Sequence, residues 1–96
     1  MHNYATYPSL AGKVILITGG ASGIGAVMVA AFMRQNAQVL FVDVLKEQGE
    51  ALCNKLDKEL GRAPVFKHLD TTDIDALQTF IATIADTHQR LDILIN

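Results

Sequence analysis

Thr18-Gly19-Gly20-Ala21-Ser22-Gly23-Ile24-Gly25 packs four glycines into eight residues. The cluster directly follows a run of β-branched and apolar residues, Val14–Thr18, and directly precedes a run with helical spacing. A glycine-rich turn between a buried strand and a helix is the setting in which a chain cradles phosphate. Glycines let the backbone take positive φ and come close to a ligand with no Cβ in the way. The first amides of the helix lack intrahelical acceptors and carry the positive end of its dipole, so an anion such as a pyrophosphate suits them. The same turn, taken alone, also reads as a plain strand-to-helix connection with no ligand.

Asp43 adds a second chemical group. It closes the next apolar run and lies 18 residues after Gly25, near the roughly 20-residue offset of a ribose-binding acid in a dinucleotide fold. A carboxylate there accepts hydrogen bonds from ribose hydroxyls and repels a 2′-phosphate by about 1–4 kcal/mol, depending on local dielectric. No Arg or Lys lies between Gly19 and Gly25, and Val44 follows the acid. Both features favour NAD over NADP, with Lys46 a nearby counterweight. Asp43 could otherwise serve only as a strand-end or helix-capping residue.

These groups need a scaffold, and the apolar pattern supplies one. Val14–Thr18, Gln38–Val42, Val65–Leu69 and Leu91–Ile95 read as buried strands, because continuous apolar runs without alternation suit a parallel sheet covered on both faces. Between them lie three helical patterns. The first carries Ile24, Val27, Met28, Ala31 and Phe32 on its core face and stops near Asn36. The second spans Leu45 to Leu60 with Gly61 as its stop, and the third is capped by Thr72 or Asp73 and presents Ile74, Leu77, Ile81 and Ile84. Strict alternation of strand and helix predicts an α/β fold, a three-layer Rossmann-like parallel sheet.

Ninety-six residues allow one domain with one modest core, here a single dinucleotide-binding portion over residues 1–96. Eight Lys+Arg against ten Asp+Glu, with no basic cluster, argue against nucleic acid or an anionic membrane surface as partner. The longest apolar run, Ala26–Met33, is eight residues and too short to span a bilayer. Residues 1–12 have no secretory h-region, and a single cysteine, Cys53, points to a reducing, cytoplasmic setting. His2, His68 and His88 lack metal-ligand spacing, and Cys53, Met28, Phe32 and Met33 read as packing residues.

The spacing Thr-Gly-x-x-x-Gly-x-Gly resembles the cofactor loop of the short-chain dehydrogenase/reductase family, and the resemblance runs along almost the whole chain. Leu10-Ala11-Gly12-Lys13 looks like the usual lead into the first strand. Asp43 matches the acid that selects NAD, and Asp70, in Leu69-Asp70-Thr71-Thr72-Asp73, matches the aspartate that contacts adenine. Leu91–Asn96 is similar to the strand that runs into the family's Asn-Asn-Ala-Gly motif, Asn96 being its first asparagine. Asn36 departs from the glycine common at the end of the first helix.

The resemblance implies strand order 3-2-1-4 with three helices, half of a doubled dinucleotide fold. It implies a cofactor site at Thr18, Gly19, Ser22, Gly23, Ile24, Gly25, Asp43, Val44, Asp70, Thr71 and Asn96 for NAD. A full-length enzyme of this kind is a homo-oligomer that transfers hydride between nicotinamide and an alcohol or ketone. Its proton is handled by a Ser and a Tyr-x-x-x-Lys pair. Neither Tyr4 nor Tyr7 is followed by Lys at that spacing, so no catalytic residue is assigned, and no metal ligand. The 96 residues are therefore expected to be an inactive fragment of an NAD-dependent oxidoreductase. Two other functions fit the pattern less closely: a non-catalytic nucleotide-binding or interaction module, and an S-adenosylmethionine-dependent methyltransferase.

Overall fold

The computed structural model describes residues 10–96; His2, Tyr4, Tyr7 and Pro8 lie outside the described residues. Four parallel strands form one sheet: β1 (Val14–Thr18), β2 (Gln38–Asp43), β3 (Val65–His68) and β4 (Ile93–Ile95). They stand in the order β3-β2-β1-β4, as the family resemblance implies. Three helices, α1 (Gly23–Arg34), α2 (Lys46–Leu60) and α3 (Ile74–His88), connect them in turn.

Side chains of β1 and β2 alternate between two apolar layers, as pleated strands must. Ile15, Ile17, Val39 and Phe41 point to the face covered by α1 and α2, where Val29, Met33 and Leu56 meet them. Val14, Leu16, Leu40 and Val42 point to the opposite face, where Ile84 of α3 and Leu69 close over them. Register carries this layering across the sheet: Leu16 stands beside Leu40 and Leu94, and Ile17 beside Phe41 and Ile95. Phe41 stacks on Phe66 with ring centroids 4.9 Å apart.

The helix ends follow local chemistry. Asn36 has φ 65° just past α1, and Gly61 has φ 76° at the end of α2. Asp73, not Thr72, caps α3: its carboxylate accepts from the Ala76 N–H at 3.1 Å, while the Thr72 hydroxyl is turned to Asp70. Arg62 donates to the Met33 carbonyl in the last turn of α1 and to the Ala37 carbonyl just beyond it, tying the end of α2 to the end of α1.

Four expectations need correction: Ile74, expected on the core face of α3, is 57% exposed, and the other three concern α1, β3 and β4. The core face of α1 is not Ile24–Val27–Ala31. Ile24 is 78% and Val27 68% exposed, and the stripe on the sheet is Gly25, Val29 and Met33, with Met28 and Phe32 half-buried beside it. An uninterrupted apolar run over residues 26–33 leaves the helix apolar all round, so periodicity cannot choose its inner side. β3 is not buried on both faces: it is the sheet edge, Val65 is 50% exposed, and Lys67 and His68 lie in solvent. β4 is shorter than residues 91–95 and half-buried, with Leu94 exposed. Asp92, expected inside that strand, precedes it and pins its start to β1, accepting from Val14 N–H at 2.8 Å and donating its own N–H to the Val14 carbonyl.

Candidate functional site

Because all four strands are parallel, their C-terminal ends share one edge of the sheet, and the chain order brings every candidate residue there. β1 ends at Thr18, β2 at Asp43, β3 just before Leu69-Asp70-Thr71, and β4 just before Asn96. Order reverses at β1, from which the chain passes to β2 on one side and to β4 on the other. Ligands of open α/β sheets sit at such a switch point.

The glycine loop starts as an extension of the ladder. Gly19 and Gly20 N–H both point to the Val42 carbonyl, at 2.8 and 3.4 Å. Gly19 has φ 73° and Gly23 φ 58°, conformations that cost other residues energy. Gly25 answers to a different demand. A Cβ there would run into the Gly19 carbonyl oxygen, and would stand 2.9 Å from its carbon and 3.1 Å from Gly20 Cα. The close approach folds the loop over the start of α1. Ser22, extended at φ −151°, precedes that helix, but its hydroxyl takes no capping bond and the first turn holds no acid. The first turn of α1, exposed at Gly23 and Ile24, thus carries no negative side chain of its own.

Asp43 lies against this loop. It is 9% exposed and is the only buried charged side chain among the described residues. Oδ2 accepts from the Ala21 N–H and Oδ1 from the Leu45 N–H, each at 3.0 Å. Asp43 pairs with His68 in register, and the Leu69 N–H donates to its carbonyl, which carries Asp70 and Thr71 to the same edge. Val44 is exposed beside it and its carbonyl meets His68 Nε2 at 3.1 Å. Asp70 holds Thr72 through Oδ1, from the hydroxyl at 2.7 Å and the amide at 2.9 Å. The Thr72 hydroxyl, then its amide, draws the Asp70 carboxyl below the usual carboxylate range.

On the other side of the switch, Thr18 Oγ1 donates toward the Ile95 carbonyl and Asn96 Oδ1, at 3.3 and 3.2 Å. All eleven candidate residues therefore lie along the one edge. Sequence reasoning missed two contributors. Gly20 packs so tightly on Phe41 that a Cβ would stand 2.7 Å from that side chain, and Ala21 supplies a backbone amide to Asp43. Both lie in the glycine-rich turn, but their particular contacts leave no sequence pattern, since they depend on what β2 brings alongside. Cys53, on α2, donates to the Pro64 carbonyl, and burial, followed by the charge of Glu50, pushes its thiol up, away from nucleophilic chemistry. Among the described residues no three His, Cys, Asp or Glu side chains gather into a metal-sized cluster, and no helix is long and apolar enough to cross a membrane.

Known proteins share both the sequence and the fold. A model of the short chain dehydrogenase family matches residues 13–96. A D-xylose 1-dehydrogenase of Caulobacter vibrioides is 42% identical over 95 residues, covering 96% of this chain and 35% of its own length. The crystal structure of 2-keto-3-deoxy-D-gluconate dehydrogenase from Streptococcus agalactiae superposes with a TM-score of 0.78 at 34% identity, over 91% of this chain and 32% of that one. L-Sorbose reductase from Gluconobacter frateurii, solved with NADPH and L-sorbose, has the same fold, with a TM-score of 0.80 at 23% identity over 91% of this chain and 33% of its own. The chain thus spans about a third of the length of these relatives. Glycine loop, buried acid, switch-point edge and sequence match agree: the chain belongs to the short-chain dehydrogenase family of oxidoreductases.

Proposed function

We infer that these residues bind NAD as the single dinucleotide-binding portion, residues 1–96, of a dehydrogenase or reductase acting on a small alcohol or ketone. The observation that carries this reading is the buried Asp43 carboxylate set against the glycine loop at the switch-point edge. A nicotinamide dinucleotide, when bound, supplies the hydride donor or acceptor. The chain's own residues bind and orient. Gly19–Gly25 and the leading amides of α1 take the pyrophosphate, with the Ser22 hydroxyl available to it and the exposed Ile24 side chain against it. Asp43 accepts from the adenosine ribose and repels a 2′-phosphate. Val44, Asp70 and Thr71 border the adenine, while Thr18 and Asn96 lie toward the nicotinamide.

The 96 residues hold no Tyr-x-x-x-Lys, so no side chain is placed to move the proton that accompanies hydride transfer, and the chain by itself is silent. The whole protein is a cytoplasmic homo-oligomer whose partner is a small molecule, not nucleic acid or a membrane. Calorimetric titration with NAD, NADP and S-adenosylmethionine tests the reading. The expected order is NAD tightest, NADP weaker, S-adenosylmethionine absent. Binding of S-adenosylmethionine with none of NAD would sink it. Turnover of alcohols or ketones by a sample verified to end at Asn96 would sink the claim of silence.

A further inference from the structure

Burying a carboxylate is costly unless donors replace its water, and the donors at Asp43 come from two separate segments. Ala21 lies in the glycine loop and Leu45 in the turn that opens α2. The loop is already zipped to β2 as far as Gly20 through the Val42 carbonyl. The Ala21–Asp43 bond is the last tie before the chain turns, extended, through Ser22 into α1. Beyond it, the Ala26 N–H bond to the Ser22 carbonyl and the close approach of Gly25 to Gly19 join the loop to the helix start.

We propose that Asp43 is a positioning residue: a strut whose carboxylate ties Ala21 to Leu45 and sets the glycine loop in its phosphate-receiving shape before any nucleotide arrives. The strut stands on its own geometry; its consequence for nucleotide binding rests on the dinucleotide reading above. A carboxylate offers about four acceptor sites. Two are taken by the amides, so two remain for ribose hydroxyls and the strut need not break when the sugar binds. One side chain then serves both loop order and ribose recognition. A substitution made to admit a 2′-phosphate also slackens the loop that holds the pyrophosphate.

The test is made on the nucleotide-free chain by NMR. A scalar coupling across the hydrogen bond, between the Ala21 amide nitrogen and the Asp43 carboxylate carbon, reports the strut without any substitution. It should be present, and its absence overturns the proposal. In Asp43→Ala, exchange of the Ala21 and Leu45 amides should quicken about 10- to 100-fold, the usual effect of losing a bond to a charged acceptor, while Ile15–Ile17 in β1 keep their protection. Asp43→Asn retains one acceptor oxygen and turns an NH2 group toward the other amide. It should therefore free one of the two amides and spare the other. Unchanged exchange in Asp43→Ala overturns the strut even where NAD binds normally. Quickened exchange in a chain that binds no dinucleotide upholds the strut and removes the nucleotide reading instead.

Discussion

Gly25 has a task that no other residue can take over. Alanine in a helix interior is favoured over glycine by about 1 kcal/mol, so on propensity alone Gly25→Ala would strengthen α1. The contact decides otherwise, because the new Cβ meets the backbone of Gly19 and Gly20, not a side chain that could swing away. Overpacking of this kind costs about 1–3 kcal/mol and reshapes the loop. Gly25→Ala is expected to lower the urea midpoint and to abolish measurable NAD binding, both readable on one preparation. Full binding by that variant would show that the close approach of α1 to the loop is dispensable.

Among the elements, β4 depends most on a single side chain. Only three residues long, it is registered on β1 by Asp92, whose carboxylate takes the Val14 N–H and the Arg90 guanidinium, the latter at 2.7 Å. The bond from Arg90, then that from Val14, holds the Asp92 carboxyl below its ordinary range. The stabilisation is thus present above the unfolded carboxylate value, about pH 4, and is lost as pH falls through the lowered folded value. Asp92→Asn keeps an acceptor for Val14 and loses the pairing with Arg90. It should flatten the acid limb of a plot of urea midpoint against pH, whereas Asp92→Ala should lower the midpoint at every pH. A parent-like acid limb in Asp92→Asn would assign acid sensitivity to other carboxylates. α3 rests on packing instead: Ile84 is fully buried against Val14, Leu16 and Leu40, and Ile84→Ala should cost about 2–5 kcal/mol in chemical denaturation.

Taken whole, the 96-residue chain leaves apolar surface on one flank. β4 has β1 on one side and, among the described residues, no strand on the other. Leu94 is 46% exposed on one sheet face, and Ile24 of α1 stands open on the other. Unpaired strand edges next to apolar patches recruit other chains. Sedimentation over a concentration series should therefore show association of the isolated 96 residues. The substitution that tests the edge is Leu94→Lys, because Ile93 and Ile95 pack on the core beneath α1 and a lysine there would confuse unfolding with dissociation. Leu94→Lys should shift the distribution toward monomer; a chain that is monomeric throughout and indifferent to this change would mean that the flank is protected.

Strand–helix alternation, the chemical identity of the loop and the spacing to Asp43 are all carried by local pattern, and so the fold class, the three helices and the eleven edge residues were legible in the sequence. Continuous apolar runs in VILIT and QVLFV marked β1 and β2 correctly because those strands have neighbours on both sides. The same rule also found β3 and β4 within Val65–Leu69 and Leu91–Ile95 but overstated their burial, since a strand's burial is set by what stands beside it and not by its own residues. The inner face of α1 was equally hidden: a helix apolar all round is turned by the contacts available to it, here Gly25 against the Gly19 carbonyl and Val29 and Met33 against the sheet. Asp43 combines both cases. Its type and offset marked it as a candidate site residue, but its bonds to Ala21 and Leu45 join segments up to 22 residues apart. Only the folded chain brings those amides within 3.0 Å of one carboxylate, because hydrogen bonds of that kind are made by position in space and leave no periodicity behind.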